Sequence, residues 1–169
     1  MPRELLILRH AKSDWDAGAA ADFDRPLTRR GKRDAPKIGA WLAREGLVPD
    51  TVISSPARRA RQTAARVCKA LAIDKAQIRW EATIYEATLA GLLAVLEGCP
   101  AEASRVLLVG HNPGLENLLL HLCGAGLDLP DDGKLLPTGS LAWLELPADW
   151  ASLEAGSVQL ISLIRPRDL

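Results

Sequence analysis

The sequence has no surplus of charge, no evenly pairing set of cysteines and no apolar run of membrane length. Its 21 Lys and Arg residues are matched by 21 Asp and Glu. That balance removes bulk attraction to nucleic acid or to an anionic membrane surface, so any positive field has to be local. The three cysteines, Cys68, Cys99 and Cys123, cannot all pair within the chain, and reduced thiols in the cytoplasm are the expectation. No stretch approaches the ~20 apolar residues of a membrane span. The four apolar residues after Glu4 are too few for the core of a secretory signal. A Gly-rich loop ending in Lys-Ser or Lys-Thr is missing, which argues against a Walker-type nucleotide binder. No carboxylate cluster accompanies the candidate residues named below, so no metal and no cofactor are expected. Internal repeats and low-complexity tracts are lacking too. At 169 residues the chain is expected to form one domain, 1–169, with a proper core.

What is present is a set of apolar runs that end in chemistry-bearing residues. Leu5-Leu6-Ile7-Leu8 leads straight into Arg9-His10. Four apolar residues read as a buried parallel strand, whose carboxyl end is where open α/β sheets place ligands. Alone, the dipeptide is weak. A second run, Val52-Ile53, breaks at Ser54-Ser55-Pro56 and enters a helix in which Ala60, Ala64, Val67, Cys68 and Leu71 share a face. The arginines at its start then point elsewhere. A helix start favours anions and a guanidinium adds a bidentate fork; for Arg58, Arg61 and Arg66 a solvated basic face is the plainer reading. A third strand, Arg105 to Gly110, ends at His111, with Asn112 suited to an N-cap, Pro113 to the first helical position and Gly124 to a stop. His121 lies beside the leucine stripe of that helix and reads as structural.

Three strand ends therefore deliver Arg9 with His10, Arg59, and His111 to one rim. Two arginines can offset a phosphoryl group's double negative charge, and a neutral imidazole can attack phosphorus in line while a second imidazole donates to the phosphoryl oxygens. At this point the chain resembles the histidine phosphatase superfamily (phosphoglycerate mutase-like), and within it the SixA-type phosphohistidine phosphatases. The blocks that carry the resemblance are Leu8-Arg9-His10, Asp24-Arg25-Pro26-Leu27-Thr28 with Gly31, Ser55-Pro56 with Arg59-Ala60 and Gln62-Thr63, Gly110-His111-Asn112-Pro113-Gly114, and Pro137-Thr138-Gly139. The resemblance implies that His10 is the phosphorylated nucleophile, that Arg9 and Arg59 clamp the phosphate, and that His111 completes the pocket. It also brings in Thr28 as a substrate contact. The chain departs from it at Ala11, where many members carry glycine; the added methyl narrows close backbone approach and bears on substrate breadth more than on activity.

The remaining pattern predicts helix from about Thr28 to Glu45, a short strand at Ile78 to Glu81, a helix bearing Leu89, Leu92, Leu93 and Leu96, and closing strands at Leu141–Leu146 and Val158–Ile164 joined by a turn. The alternation is α/β, with one central, mostly parallel sheet flanked by helices. Pro36 marks either a kink or a later helix start. Trp15 to Phe23 is a loop that should overhang the site, and Gly124 to Pro137 is the other long connection. Neither has the length of a large cap. Trp15 is a candidate substrate contact, and Trp41 reads as core.

Alcohol phosphates need an acid to protonate the leaving group. Glu86 is the candidate, as a carboxylate that reaches the rim or as one favoured by a helix dipole. A phosphorylated histidine leaves as imidazole and needs less help. The reading is a metal-independent phosphatase acting through a covalent phosphohistidine intermediate on phosphohistidine in proteins, its partners being phosphotransfer or phosphorelay proteins in signalling. The alternatives are a small-molecule phosphomonoesterase, a catalytically silent phosphoprotein-binding module and, less favoured for want of an enclosing cap, a phosphoglycerate mutase.

Overall fold

A computed structural model describes residues 2–147 and 149–169. Six strands form one mixed sheet: β1 (Arg3–Arg9), β2 (Thr51–Ser54), β3 (Ile78–Trp80), β4 (Arg105–Gly110), β5 (Leu141–Leu146) and β6 (Gln159–Ile164), in the order β3-β2-β4-β1-β5-β6. Strands β3, β2, β4 and β1 run parallel, while β5 and β6 are antiparallel additions at one edge. The connections carry α1 (Arg29–Arg44), α2 (Arg58–Ala70), α3 (Leu89–Glu97) and α4 (Gly114–Cys123).

The apolar run of β1 is continuous because both faces of the sheet are covered. Side chains alternate across a strand. Leu5 and Ile7 enter one apolar cluster, with residues of α3 and α4, and Leu6 and Leu8 the other, with residues of α1 and α2. Helix α1 runs unbroken through Pro36, so the proline is not a restart. Its start is fixed by Thr28, whose Oγ1 accepts the Gly31 amide at 3.0 Å and donates to the Lys12 carbonyl at 3.2 Å. Gly31 is required there, because a Cβ would lie 2.2 Å from that carbonyl oxygen.

Two local readings are corrected. Asn112 is not an N-cap: helix α4 begins at Gly114, and the Asn112 amide donates instead to the Leu136 carbonyl at 2.8 Å. The link between β5 and β6 is more than a turn, for it carries the 3-10 segment Trp150–Ser152 and buries Trp150, whose Nε1 donates to Ala103 O at 2.9 Å. Trp41 packs edge-on to Trp143 with ring centroids 6.5 Å apart, beside the core. Cys68, Cys99 and Cys123 are all free thiols, each with its pKa pushed up by burial.

Candidate active site

The site is built on the pairing of β1 with β4. Arg9 is registered against Gly110, and the His10 amide donates to Gly110 O at 3.0 Å. Each strand then releases its next residue, so His10 and His111 emerge side by side with ring centroids 5.2 Å apart. Strand β2 pairs with β4 on the other side and hands the chain through Ser55 to the start of α2. There Arg58 is exposed and Arg59 is 6% exposed, so the helix turns Arg59 alone of this pair inward.

His10 is 5% exposed and its Nδ1 lies 2.8 Å from Ala11 O. A carbonyl can only accept, so Nδ1 carries the proton and Nε2 keeps its lone pair. Ala11 is buried, and its own amide donates to Thr63 Oγ1 at 3.0 Å, which in turn donates to Arg59 O at 2.8 Å. The strand end carrying His10 and the first turn of α2 carrying Arg59 are thereby tied together. Gly139, at φ +76, closes the third side by donating its amide to His10 O at 2.9 Å. Burial, joined by the charges of His111, Arg59 and Arg9, pushes His10 from 6.5 down to about 3. Burial followed by the Arg59 charge takes His111 to about 4. Both imidazoles are therefore neutral near pH 7.

His111 Nε2 is 2.7 Å from Ser55 Oγ, which also accepts the Ala57 amide at 3.2 Å. If the serine gives its one proton to Nε2, the only unmet group is an Nδ1–H; the opposite tautomer would strand both the serine proton and the Nδ1 lone pair. The network therefore assigns a donor to Nδ1. His111 Nδ1, Arg9 Nε and Arg59 Nε are all buried without a hydrogen-bond partner. Three unmet donors at a neutral imidazole are the complement of an oxyanion, since buried polar groups are normally paired.

Sequence reasoning missed Asp22. It sits in the short 3-10 segment Asp22–Asp24 of the loop after β1 and takes the terminal edge of Arg59, through its carbonyl at 2.8 Å and Oδ2 at 3.0 Å. Tyr85 donates to the same Oδ2 at 2.7 Å, and Arg25 reaches Oδ1 at 3.2 Å. The Tyr85 hydroxyl first, then Arg59 and Arg25, hold the Asp22 carboxyl well below the usual carboxylate range. Asp22 is thus an ionised brace for the terminal nitrogens of Arg59, and the buried Nε is left without a partner. No periodic pattern could have flagged an aspartate in an irregular loop, 37 positions from its arginine.

The other predicted residues separate. Glu86 is exposed in a turn at φ 54, before Thr88, which caps α3, so it is not a first-turn carboxylate. It lines a cleft of about 400 Å³ together with Asp22, Arg59, Tyr85 and His111. Thr28 commits its hydroxyl to α1. Trp15 is 73% exposed and stacks on the Arg25 guanidinium at 3.6 Å, with Arg25 also bonded to Ser13. His121 stays on α4 and is not among the residues lining this cleft. Among the described residues there is no His, Cys, Asp and Glu group suited to a metal ion, and no helix is long and apolar enough to cross a membrane.

A mostly parallel sheet with two histidines and two arginines at its carboxyl rim is an α/β arrangement suited to handling a phosphoryl group. The chain belongs to the histidine phosphatase superfamily (branch 1), whose family model matches residues 5–89. It is 34% identical over 164 residues to an uncharacterized protein of Mycobacterium tuberculosis, covering 95% of this chain and 100% of that one. Among solved structures it resembles the candidate phosphohistidine phosphatase SixA of Nakamurella multipartitia, with a TM-score of 0.84, 32% identity, and coverage of 98% and 97% of the two chains. The corresponding protein of Agrobacterium tumefaciens gives 0.82 and 32%, over 98% and 99%. Family and neighbours together support phosphatase activity.

Proposed function

We propose that the protein removes the phosphoryl group from phosphohistidine in proteins, with His10 as the nucleophile and without a metal. The observation that carries this reading is the neutral, Nδ1-anchored imidazole of His10 beside three buried donors with no partner of their own. Nε2 of His10 attacks phosphorus, a new P–N bond forms, and the bond to the substrate imidazole breaks as that ring takes up a proton from solvent. Water then attacks phosphorus and the P–Nε2 bond breaks, which returns neutral His10 and releases phosphate. Arg9, Arg59 and His111 receive the equatorial oxygens in both steps. The likeness to SixA-type proteins supports the choice of substrate. So does the acid inventory, because Asp22 is held ionised and Glu86 is exposed.

A small phosphomonoester is the second reading, favoured by the position of Glu86 in the same cleft as His111 and Arg59. The deciding experiment is brief incubation with phosphohistidine or an aryl phosphate, quenched without acid. An alkali-stable, acid-labile adduct on the peptide containing His10 is expected, and His10→Ala should lose the adduct and nearly all turnover. Full activity in His10→Ala refutes the mechanism, and turnover of aryl phosphate with none of phosphohistidine favours the second reading.

A further inference from the structure

The basic residues are gathered on one side of the molecule. Helices α1 and α2 hold 11 of the chain's 21 Lys and Arg residues but only one of its 21 Asp and Glu residues, Asp34. Both lie on the same face of the sheet and share one apolar cluster. They press together at Gly39, where a Cβ would lie 2.6 Å from Ala70 Cβ and 2.7 Å from Val67 O. On the other face α3 and α4 contain no Lys or Arg. A chain with no net charge therefore presents one strongly positive side, and steering of a charged partner follows such a local field, not the net charge.

This side reaches the site through the starts of its two helices. Both begin at the carboxyl rim of the sheet, α1 against Lys12 O through Thr28 and α2 beside Arg59. Neither has an acidic residue in its first turn. The unpaired amides there make a helix start partially positive, so cations at these positions cost stability where acids would add it. Lys12, Arg29, Lys32, Arg33, Arg58 and Arg61 are all exposed, and none of them is in an ion pair among the described residues. No salt bridge of the fold explains them. The one acid of the two helices, Asp34, is shared by Arg30 and Lys37. In the loop after β1, Asp22 is taken by Arg59 and Arg25, and Asp14, Asp16 and Asp24 leave the six cations in excess.

We propose that this side receives an acidic flank of the phosphohistidine protein, so that phosphohistidines with Asp and Glu residues on one side of them are selected. The proposal rests on the phosphohistidine reading above and adds to it the charge of the surface that is recognised. The one-sidedness of the field favours a protein as the occupant. Glu86 and Glu116 border the clefts on the side of α3 and α4, so a partner anionic throughout, such as a nucleic acid or a lipid surface laid across the rim, is repelled there. A protein can confine its acids to the flank that meets α1 and α2.

Three peptides of equal length test this, each carrying one phosphohistidine installed with phosphoramidate. A run of Asp and Glu precedes it in the first, follows it in the second, and is replaced by Asn and Gln in the third. Free phosphohistidine is the reference substrate. At ~20 mM salt the wild type should favour at least one acidic peptide over the neutral one by ~10-fold or more in kcat/KM, the low end of what electrostatic steering supplies. At ~500 mM salt, where the Debye length falls to about 4 Å, the ratio should shrink to within ~3-fold. In Arg29→Gln/Lys32→Gln/Arg33→Gln/Arg61→Gln the preference should vanish at low salt while free phosphohistidine is still hydrolysed, and the melting temperature should be no lower, since the removed cations opposed the helix dipoles. The salt series on the wild type keeps the proposal refutable even if the variant folds poorly. Equal rates on the three peptides at low salt overturn it. So does a preference that survives the four substitutions, because it then belongs to the peptide. Equal loss on free phosphohistidine and on all three peptides, in a variant that melts as the wild type does, would place these cations in the phosphoryl site and overturn it too. Binding of a DNA or RNA oligomer that the substitutions abolish, with no preference among the peptides, would give the surface to nucleic acid. Hydrolysis of free phosphohistidine without any peptide preference refutes the proposal alone, whereas absence of all phosphohistidine hydrolysis in the wild type refutes the functional reading and the proposal with it.

Discussion

Replacing His10 by glutamine should make the protein less sensitive to mild acid, and the size of the effect follows from its burial. The folded protein holds His10 at about 3, against 6.5 for an unburied histidine. Between those values the unfolded chain binds a proton that the folded protein refuses, so stability rises with pH across the window and is lost as pH falls below 6.5. Going from pH 7.5 to pH 5, this uptake costs ~2 kcal/mol of folding stability for His10 alone. His111, held at about 4, adds a similar loss that the substitution leaves in place. Urea unfolding at the two pH values, in buffers free of phosphate and sulfate, reads the difference directly. The fall in stability should be ~2 kcal/mol smaller in His10→Gln than in the wild type. Any cost of the substitution itself is common to both pH values and cancels, as do the carboxylates and His121. Equal losses in the two proteins would refute the argument, because His10 would then be no less basic folded than unfolded.

Arg59→Ala should lower kcat/KM on an aryl phosphate by at least ~10²-fold, as loss of a positioned charge at a transition state does, whereas exposed Arg58→Ala should change it little; the reverse result would misplace the start of α2. Glu86→Gln should slow an alkyl phosphatase activity by ~10²-fold if Glu86 is a general acid, yet barely affect phosphohistidine, whose leaving group needs little protonation. Equal large losses would mean an essential role independent of the leaving group, and equal negligible ones would remove Glu86 from the chemistry. Prolonged EDTA treatment should leave turnover intact, and a loss restored by a divalent cation would refute metal independence.

The sheet was legible because its strands carry their own signal. β1, β2 and β4 are short apolar runs covered on both faces, and the residues that end them fall at the rim by strand geometry alone. Arg59 is singled out as a phosphate clamp by its place in the Ser55-Pro56 and Arg59-Ala60 block of the family resemblance, and α2 does turn it inward while Arg58 stays exposed. What stayed hidden depends on tertiary closure. Asp22 and Tyr85, 63 positions apart, meet only when two loops fold over Arg59. Asn112 has the chemistry of a cap, and what overrides that preference is a carbonyl 24 residues on. Trp15 lies in the expected loop, but its ring covers the Arg25 guanidinium.

The ladder between β1 and β4 has a consequence for how such a protein can diverge. Because His10 and His111 each follow registered partners, the spacing of the two rings is dictated by interstrand hydrogen bonds. Segments 15–23 and 124–138 hang from fixed strand and helix ends and play no part in setting that spacing. Exchange of either segment for one of another length and composition can therefore redraw the surroundings of the phosphoryl group while the imidazole pair keeps its geometry. Grafting at these two positions leaves the sheet untouched, provided that Asp22 is kept to hold Arg59.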